Sequence, residues 1–162
     1  MILRLFNERS LNEPTDGRGQ RMSSATPTDV LLRRRDLTLN GDADGLADLF
    51  APDAVIEFAF HGPPGTPVRV DGREAIREYS RQVMKSPLLL EDYEVAELYQ
   101  TQDPEVVIVE LRAKGTVTTT GRAFATTSIQ IVRIREGHIV LWRDFADPRV
   151  LEELTSEQHP GS

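Results

Sequence analysis

The chain has 162 residues, 39% hydrophobic and 28% charged, an ordinary balance for one globular domain. With 26 acidic and 19 basic side chains the net charge is −7, which opposes nucleic acid or a membrane surface as partner. There is no cysteine, hence no disulfide, thiolate metal site or thiol nucleophile, and no apolar run nears the roughly 20 residues that span a bilayer. Met1–Phe6 is too short for a signal peptide core, so a cytoplasmic location is expected.

Residues 1–25 are polar and lack an apolar period, and are expected to be a disordered extension or an arm over a partner subunit. Met22 offers an alternative start. Folded structure is expected over 26–155, with 156–162 as a flexible tail. Thr26-Pro27-Thr28-Asp29 has the cap, proline and acid of a helix start, and Asn40-Gly41 ends that helix. Asp42 caps a short second helix with Leu46, Leu49 and Phe50 on its inner side, closed by Ala51-Pro52-Asp53. Ala54–Phe60 reads as a strand by its β-branched and aromatic content, with Phe58 and Phe60 on one face and Glu57 solvated on the other. The proline-rich stretch from His61 to Pro67 is a loop. Val68–Val70 is a short strand, Asp71-Gly72 a turn, and Arg73 to about Lys85 a helix with Ile76, Tyr79 and Val83 at helical spacing.

After Ser86-Pro87 the apolar period falls to two. Strands are expected near 91–100, 105–118, 122–135 and 138–146, separated by Gln102-Asp103-Pro104, Thr120-Gly121 and Glu136-Gly137. Asp147-Pro148 ends the last, and Val150, Leu151 and Leu154 suggest a terminal helix. Helices followed by consecutive strands on short turns make an α+β fold with an antiparallel meander.

Three segments carry a family resemblance: Asn40-Gly41-Asp42 through Val55, Gly72-Arg73-Glu74-Ala75-Ile76, and Glu136-Gly137-His138 through Trp142-Arg143-Asp144-Phe145. In this order they resemble the SnoaL-like branch of the nuclear transport factor 2 superfamily. The resemblance implies a cone-shaped, curved, mostly antiparallel sheet wrapped around the N-terminal helices and enclosing a pocket. It also implies a homodimer through the sheet face; separately, no cofactor is expected. Ketosteroid isomerases, polyketide cyclases, limonene epoxide hydrolases and phenazine A/B proteins share that scaffold. The isomerase carboxylate and tyrosine are replaced here by Phe58 and a residue near Arg34. The epoxide hydrolases match Trp142-Arg143-Asp144, but Leu111, Ala113, Ile56 and Phe58 stand where their other polar groups fall. In the phenazine comparison the acid/base glutamate falls at Asp144 and the pocket histidine at Tyr79.

The residue pattern then names a candidate site. In a strand Val140, Trp142 and Asp144 share a face, so an inward Trp142 would place Asp144 in an apolar pocket with a raised pKa. The alternative is a strand-end aspartate paired with Arg143, Arg122 or a backbone N–H. Tyr79 and His61 are candidate catalytic partners of Asp144; each also has a bland reading, as a packed ring and an exposed loop residue. Trp142, Phe58, Phe60, Phe124 and Val140 would line the pocket for a small apolar ligand. No histidine pair has metal-ligand spacing, so no metal is expected. Glu110 and Arg112 read as a cross-strand ion pair on the outer face, and Arg33-Arg34-Arg35 as a solvated helix face. The function expected is a cofactor-independent acid/base cyclase, isomerase or dehydratase. A non-catalytic ligand-binding or dimerisation module is the alternative, and epoxide hydrolysis a weaker one.

Overall fold

The computed structural model describes residues 25–156. The expectations for the N-terminal extension before Ala25 and for the tail beyond Ser156 fall outside that range.

Helix α1, Pro27–Leu39, begins with the anticipated capping box: the Thr26 hydroxyl accepts from the Asp29 N–H and the Asp29 carboxylate accepts from the Thr26 N–H. Asp42 caps α2, Ala43–Asp48, accepting from the Gly45 N–H at 2.8 Å. Strand β1 spans Phe50–Phe58 and pairs with β2, Val68–Asp71, which leads into α3, Arg73–Met84. The meander follows as β3 (Leu88–Gln100), β4 (Val106–Val117), β5 (Arg122–Arg135) and β6 (His138–Asp144). Helix α4, Pro148–Thr155, closes the described chain, capped by Asp147.

The six strands form one sheet in the order β2-β1-β6-β5-β4-β3. All neighbours are antiparallel except β1 and β6, which run parallel. The sheet is open at β2 and β3, and α1 lies against β3 while α2 and α3 pack together over β1. Val30, Leu31, Phe50, Ile56, Ile76, Val107, Val109, Val132, Ile139 and Trp142 make one continuous core between helices and sheet. No helix among the described residues is long and apolar enough to cross a membrane.

Both ends of β1 differ from the sequence reading. Strand β1 starts at Phe50, because its register against β6 jumps between Phe50 and Val55 and lets the chain around Pro52 leave the ladder. A proline cannot donate to a ladder, so the excursion satisfies it without ending the strand. At the other end β1 stops at Phe58, so Phe60 lies in the following turn and not on the strand face beside Phe58.

Two rows of side chains organise the sheet. On the outer face Tyr99, Ile108, Ile131, Arg143, Glu57 and Arg69 stand in register across all the strands. Glu57 is not solvated. It is 7% exposed, because Arg143 Nε donates to it at 2.6 Å from one neighbouring strand and Arg69 Nη1 at 2.9 Å from the other. Glu110 and Arg112 do form an ion pair, at 3.3 Å, but along β4 and not between strands. On the inner face Val109, Gln130, Asp144 and Phe58 form the corresponding row.

Candidate functional site

The inner row places Asp144 between Gln130 of β5 and Phe58 of β1. Trp142, two residues earlier on the same face, is buried. The Asp144 carboxylate has two donors: Gln130 Nε2 at 2.9 Å on Oδ2, and the Ala146 backbone N–H at 2.8 Å on Oδ1. Neither Arg143 nor Arg122 reaches it; Arg143 is on Glu57 and Arg122 donates to the Glu153 carbonyl. Burial pushes the Asp144 pKa above the ordinary carboxylate value, against the pull of those two donors and the more distant positive fields of Arg34 and His61.

Tyr79 comes from α3, and its ring packs against Phe58 with centroids 5.5 Å apart. Its hydroxyl pKa is raised, chiefly by burial and further by the negative field of Asp144. Phe58 also meets His61, 5.2 Å between centroids, at the exposed start of the proline loop. Asp144, Tyr79, His61, Phe58 and Trp142 are therefore brought to one region.

The other expected lining residues are placed differently. Phe60 is 58% exposed and meets Phe145 edge to face at 5.8 Å, at the rim. Phe124 is half-buried on the inner face, over Gly115 of β4. Val140 falls at a register break: Ile139 pairs with Ile134 and Leu141 with Arg133, leaving Val140 as the extra residue of a bulge. It therefore lacks the simple alternation with Trp142 that a regular strand would give. A separate open recess of about 590 Å³ lies between the start of α1 and the β5–β6 turn, lined by Val30, Arg33, Leu49 and Gly137; none of the candidate residues borders it.

Sequence reading missed three members of the site. Arg34 does not belong to a solvated face: its guanidinium carbon lies 3.6 Å from the centre of the Trp142 ring and 5.5 Å from that of Tyr93. Arg34 Nη1 donates to the Tyr93 hydroxyl, and Arg35 Nε donates to the Tyr93 carbonyl at 2.7 Å. Of the basic run only Arg33 is exposed. Tyr93, from β3, is buried, and burial raises its hydroxyl pKa against the pull of Arg34. Gln130 is the third. A helical turn that also supplies the buried Val30 and Leu31 points Arg34 inward, a period that the charge run obscured.

Residues 33–142 match the SnoaL-like domain family. The chain belongs to that family. It is 38% identical over 127 residues to an uncharacterized PhzA/B-like protein of Pseudomonas aeruginosa, spanning 78% of this chain and 88% of the relative. A crystal structure of a Bacillus subtilis protein designated a candidate isomerase superposes with a TM-score of 0.71 at 29% identity, covering 78% of this chain and 90% of that one. The epoxide hydrolase/cyclase-like enzyme SalBIII, of pyran ring formation in salinomycin, superposes at 0.61 with 23% identity over 76% and 92%, a likeness of fold alone. Cyclases, isomerases and epoxide hydrolases thus share the SnoaL-like scaffold. Among the described residues no group of three or more histidine or acidic side chains is placed to hold a metal ion.

Within the SnoaL-like frame the arrangement has a definite chemical capacity. A carboxyl whose neutral form is favoured by burial can give a proton and, once ionised, take one back. Tyr79 and Tyr93 offer hydroxyl donors, and Arg34 a permanent positive charge.

Proposed function

We propose that the protein is a cofactor-independent acid/base enzyme acting on a small, largely apolar metabolite, in a cyclisation, isomerisation or dehydration. The observation that supports this reading is the Asp144 carboxyl, partly buried beside Trp142 and Phe58, with a pKa raised by that burial and no ion-pair partner among the described residues. In its neutral form Asp144 donates to a carbonyl or departing hydroxyl oxygen. The carboxylate left behind accepts a proton from carbon, which regenerates the acid. Tyr79 stabilises charge that develops on the substrate oxygen, and His61 exchanges protons between the mouth and bulk water.

A ligand-binding module on the same scaffold is the second reading. It is favoured by the engagement of both Asp144 oxygens with protein donors, which reduces what is left for a substrate. Turnover by the Asp144→Asn variant separates the two. Acid/base catalysis predicts a loss of about 10²-fold or more in kcat with the fold intact; unchanged turnover removes Asp144 from the chemistry. In either reading we expect a cytoplasmic homodimer joined through the outer face, where Tyr99 and Ile129 are exposed beside Ile108 and Ile131. Light scattering tests that.

A further inference from the structure

Arg34 of α1 has no carboxylate of its own. Its guanidinium carbon lies 3.6 Å from the centre of the Trp142 ring and 5.5 Å from that of Tyr93, with no acid at ion-pair distance among the described residues. Arg35, Arg69, Arg77 and Arg143 each have such a partner. Hydrogen bonding does not explain the placement either. Nη1 donates to the Tyr93 hydroxyl, while Nε is buried without an acceptor. A side chain placed for its hydrogen bonds would satisfy that N–H, since buried polar groups are almost always paired.

Holding a cation partly buried without a contact counter-ion is costly, and aromatic faces compensate only part of the lost hydration. What the arrangement preserves is a fixed positive charge. It stands against Trp142, the residue two before Asp144 on the same inner face.

Asp144 has the complementary gap. Its oxygens are held by Gln130 Nε2 and the Ala146 N–H, and no ion pair reaches it among the described residues. The cations of the outer face, Arg69 and Arg143, are engaged by Glu57. The charged and titratable side chains that act on Asp144, or feel its field, come from separate elements: Arg34 of α1, His61 of the loop after β1, Tyr79 of α3 and Tyr93 of β3. Burial pushes the pKa of Asp144, Tyr79 and Tyr93 upward, and the field of Arg34 opposes the rise at all three. Salt screens such a field less in a partly buried setting than at the surface.

We infer that Arg34 is a positioning residue for the proton chemistry of Asp144: its charge, fixed against Trp142 and tied to Tyr93, stabilises the carboxylate that remains once the acid has given up its proton. This rests on the acid/base reading and adds to it the group that keeps the return half of the cycle open. Burial alone favours the neutral acid; the Arg34 field brings the ionised form within reach, so that one carboxyl can both give and take. Charge acts here through space, so the role requires no substrate beside the guanidinium.

The test follows the Asp144 carboxyl by carbon NMR across pH in the wild-type chain, in Arg34→Gln and in Arg34→Lys. Arg34→Gln should titrate at a higher pH than the wild-type chain, because its carboxylate has lost a favourable field, and Arg34→Lys should return most of the way. An unchanged or lower midpoint in Arg34→Gln overturns the inference. So does an equal rise in both variants, since a merely structural loss would not distinguish a charged replacement from a neutral one. The reciprocal measurement leaves Arg34 in place. The proton resonance of its buried Nε–H should step at the Asp144 midpoint in the wild-type chain and lose that step in Asp144→Asn. No step there, or one that survives Asp144→Asn, also overturns the inference. Neither readout uses turnover, so failure here is distinguishable from failure of the acid/base reading, which the turnover of Asp144→Asn decides.

Discussion

Gln130 and Asp144 are direct partners across the β5–β6 ladder, and the amide of one donates to the carboxylate of the other at 2.9 Å. The bond favours the ionised carboxylate, against the burial that favours the neutral acid. Gln130→Met keeps the length of the side chain and deletes the donor. Asp144 should then titrate at a higher pH than in the wild-type chain, as followed by carbon NMR of its carboxyl, and the alkaline limb of turnover should move up with it. A midpoint that stays or falls would show that the amide does not favour the charged form.

The same carboxyl links stability to pH. Its folded pKa lies above the ordinary value of about 3.9, so between the two the folded chain holds a proton that the unfolded chain has released. Stability therefore falls as pH climbs through that window and stays reduced above it. Asp144→Asn removes the ionisation and keeps an oxygen for the Ala146 N–H. The variant should be more stable than the wild-type chain near neutral pH. That advantage should shrink toward pH 4. Thermal unfolding at several pH values checks it, and a variant less stable at pH 7 would contradict it.

Glu57 binds three strands through side chains alone, with Arg69 on one side and Arg143 on the other. Glu57→Ala leaves two cations facing each other across β1. Both arginines are half-exposed, so water screens part of the loss and a cost of about 2 kcal/mol is expected. Glu57→Gln keeps one acceptor oxygen, hence one of the two hydrogen bonds, and should cost less than Glu57→Ala. Urea midpoints rank the two; equal stabilities would mean that the retained hydrogen bond contributes nothing at this position.

Gly115 is required by close approach. A Cβ there would stand 2.0 Å from the Leu89 carbonyl oxygen and 2.8 Å from the Phe124 ring. The ring can turn, but the carbonyl belongs to the neighbouring strand. Gly115→Ala should separate β3 from β4 locally and destabilise the chain by about 2–4 kcal/mol. Hydrogen exchange should speed up at residues 88–91 and 115–118 in particular.

Local signals carried much of the fold. Thr26 and Asp42 cap helices as their spacing suggests, and Glu136-Gly137 makes a two-residue turn with φ of 51° and 78° between the paired Arg135 and His138. What escaped reading depends on distant chain. Glu57 is shielded by Arg143, 86 residues later, so alternation alone could only call it outward. Tyr93 lies between two register breaks of β3, where the period-two pattern that would mark an inner residue is interrupted. Arg34 sits in a run of three arginines whose most economical reading is solvent. Asp144 was legible because its strand alternates cleanly from Trp142 onward. Its partner Gln130 was not, since a lone glutamine among isoleucines and valines has no pattern of its own.

Strand β6 lies between β1 and β5 although it is the last strand made. Until it inserts, the chain can form only a β1–β2 hairpin and a β3–β4–β5 meander, two fragments with no ladder between them. Asp144 and Trp142 are both on the keystone strand itself, while Phe58 and Gln130 wait on opposite fragments. A nascent chain released before residue 144 would thus lack more than the Asp144 carboxyl: its two flanking walls would have nothing to bring them together.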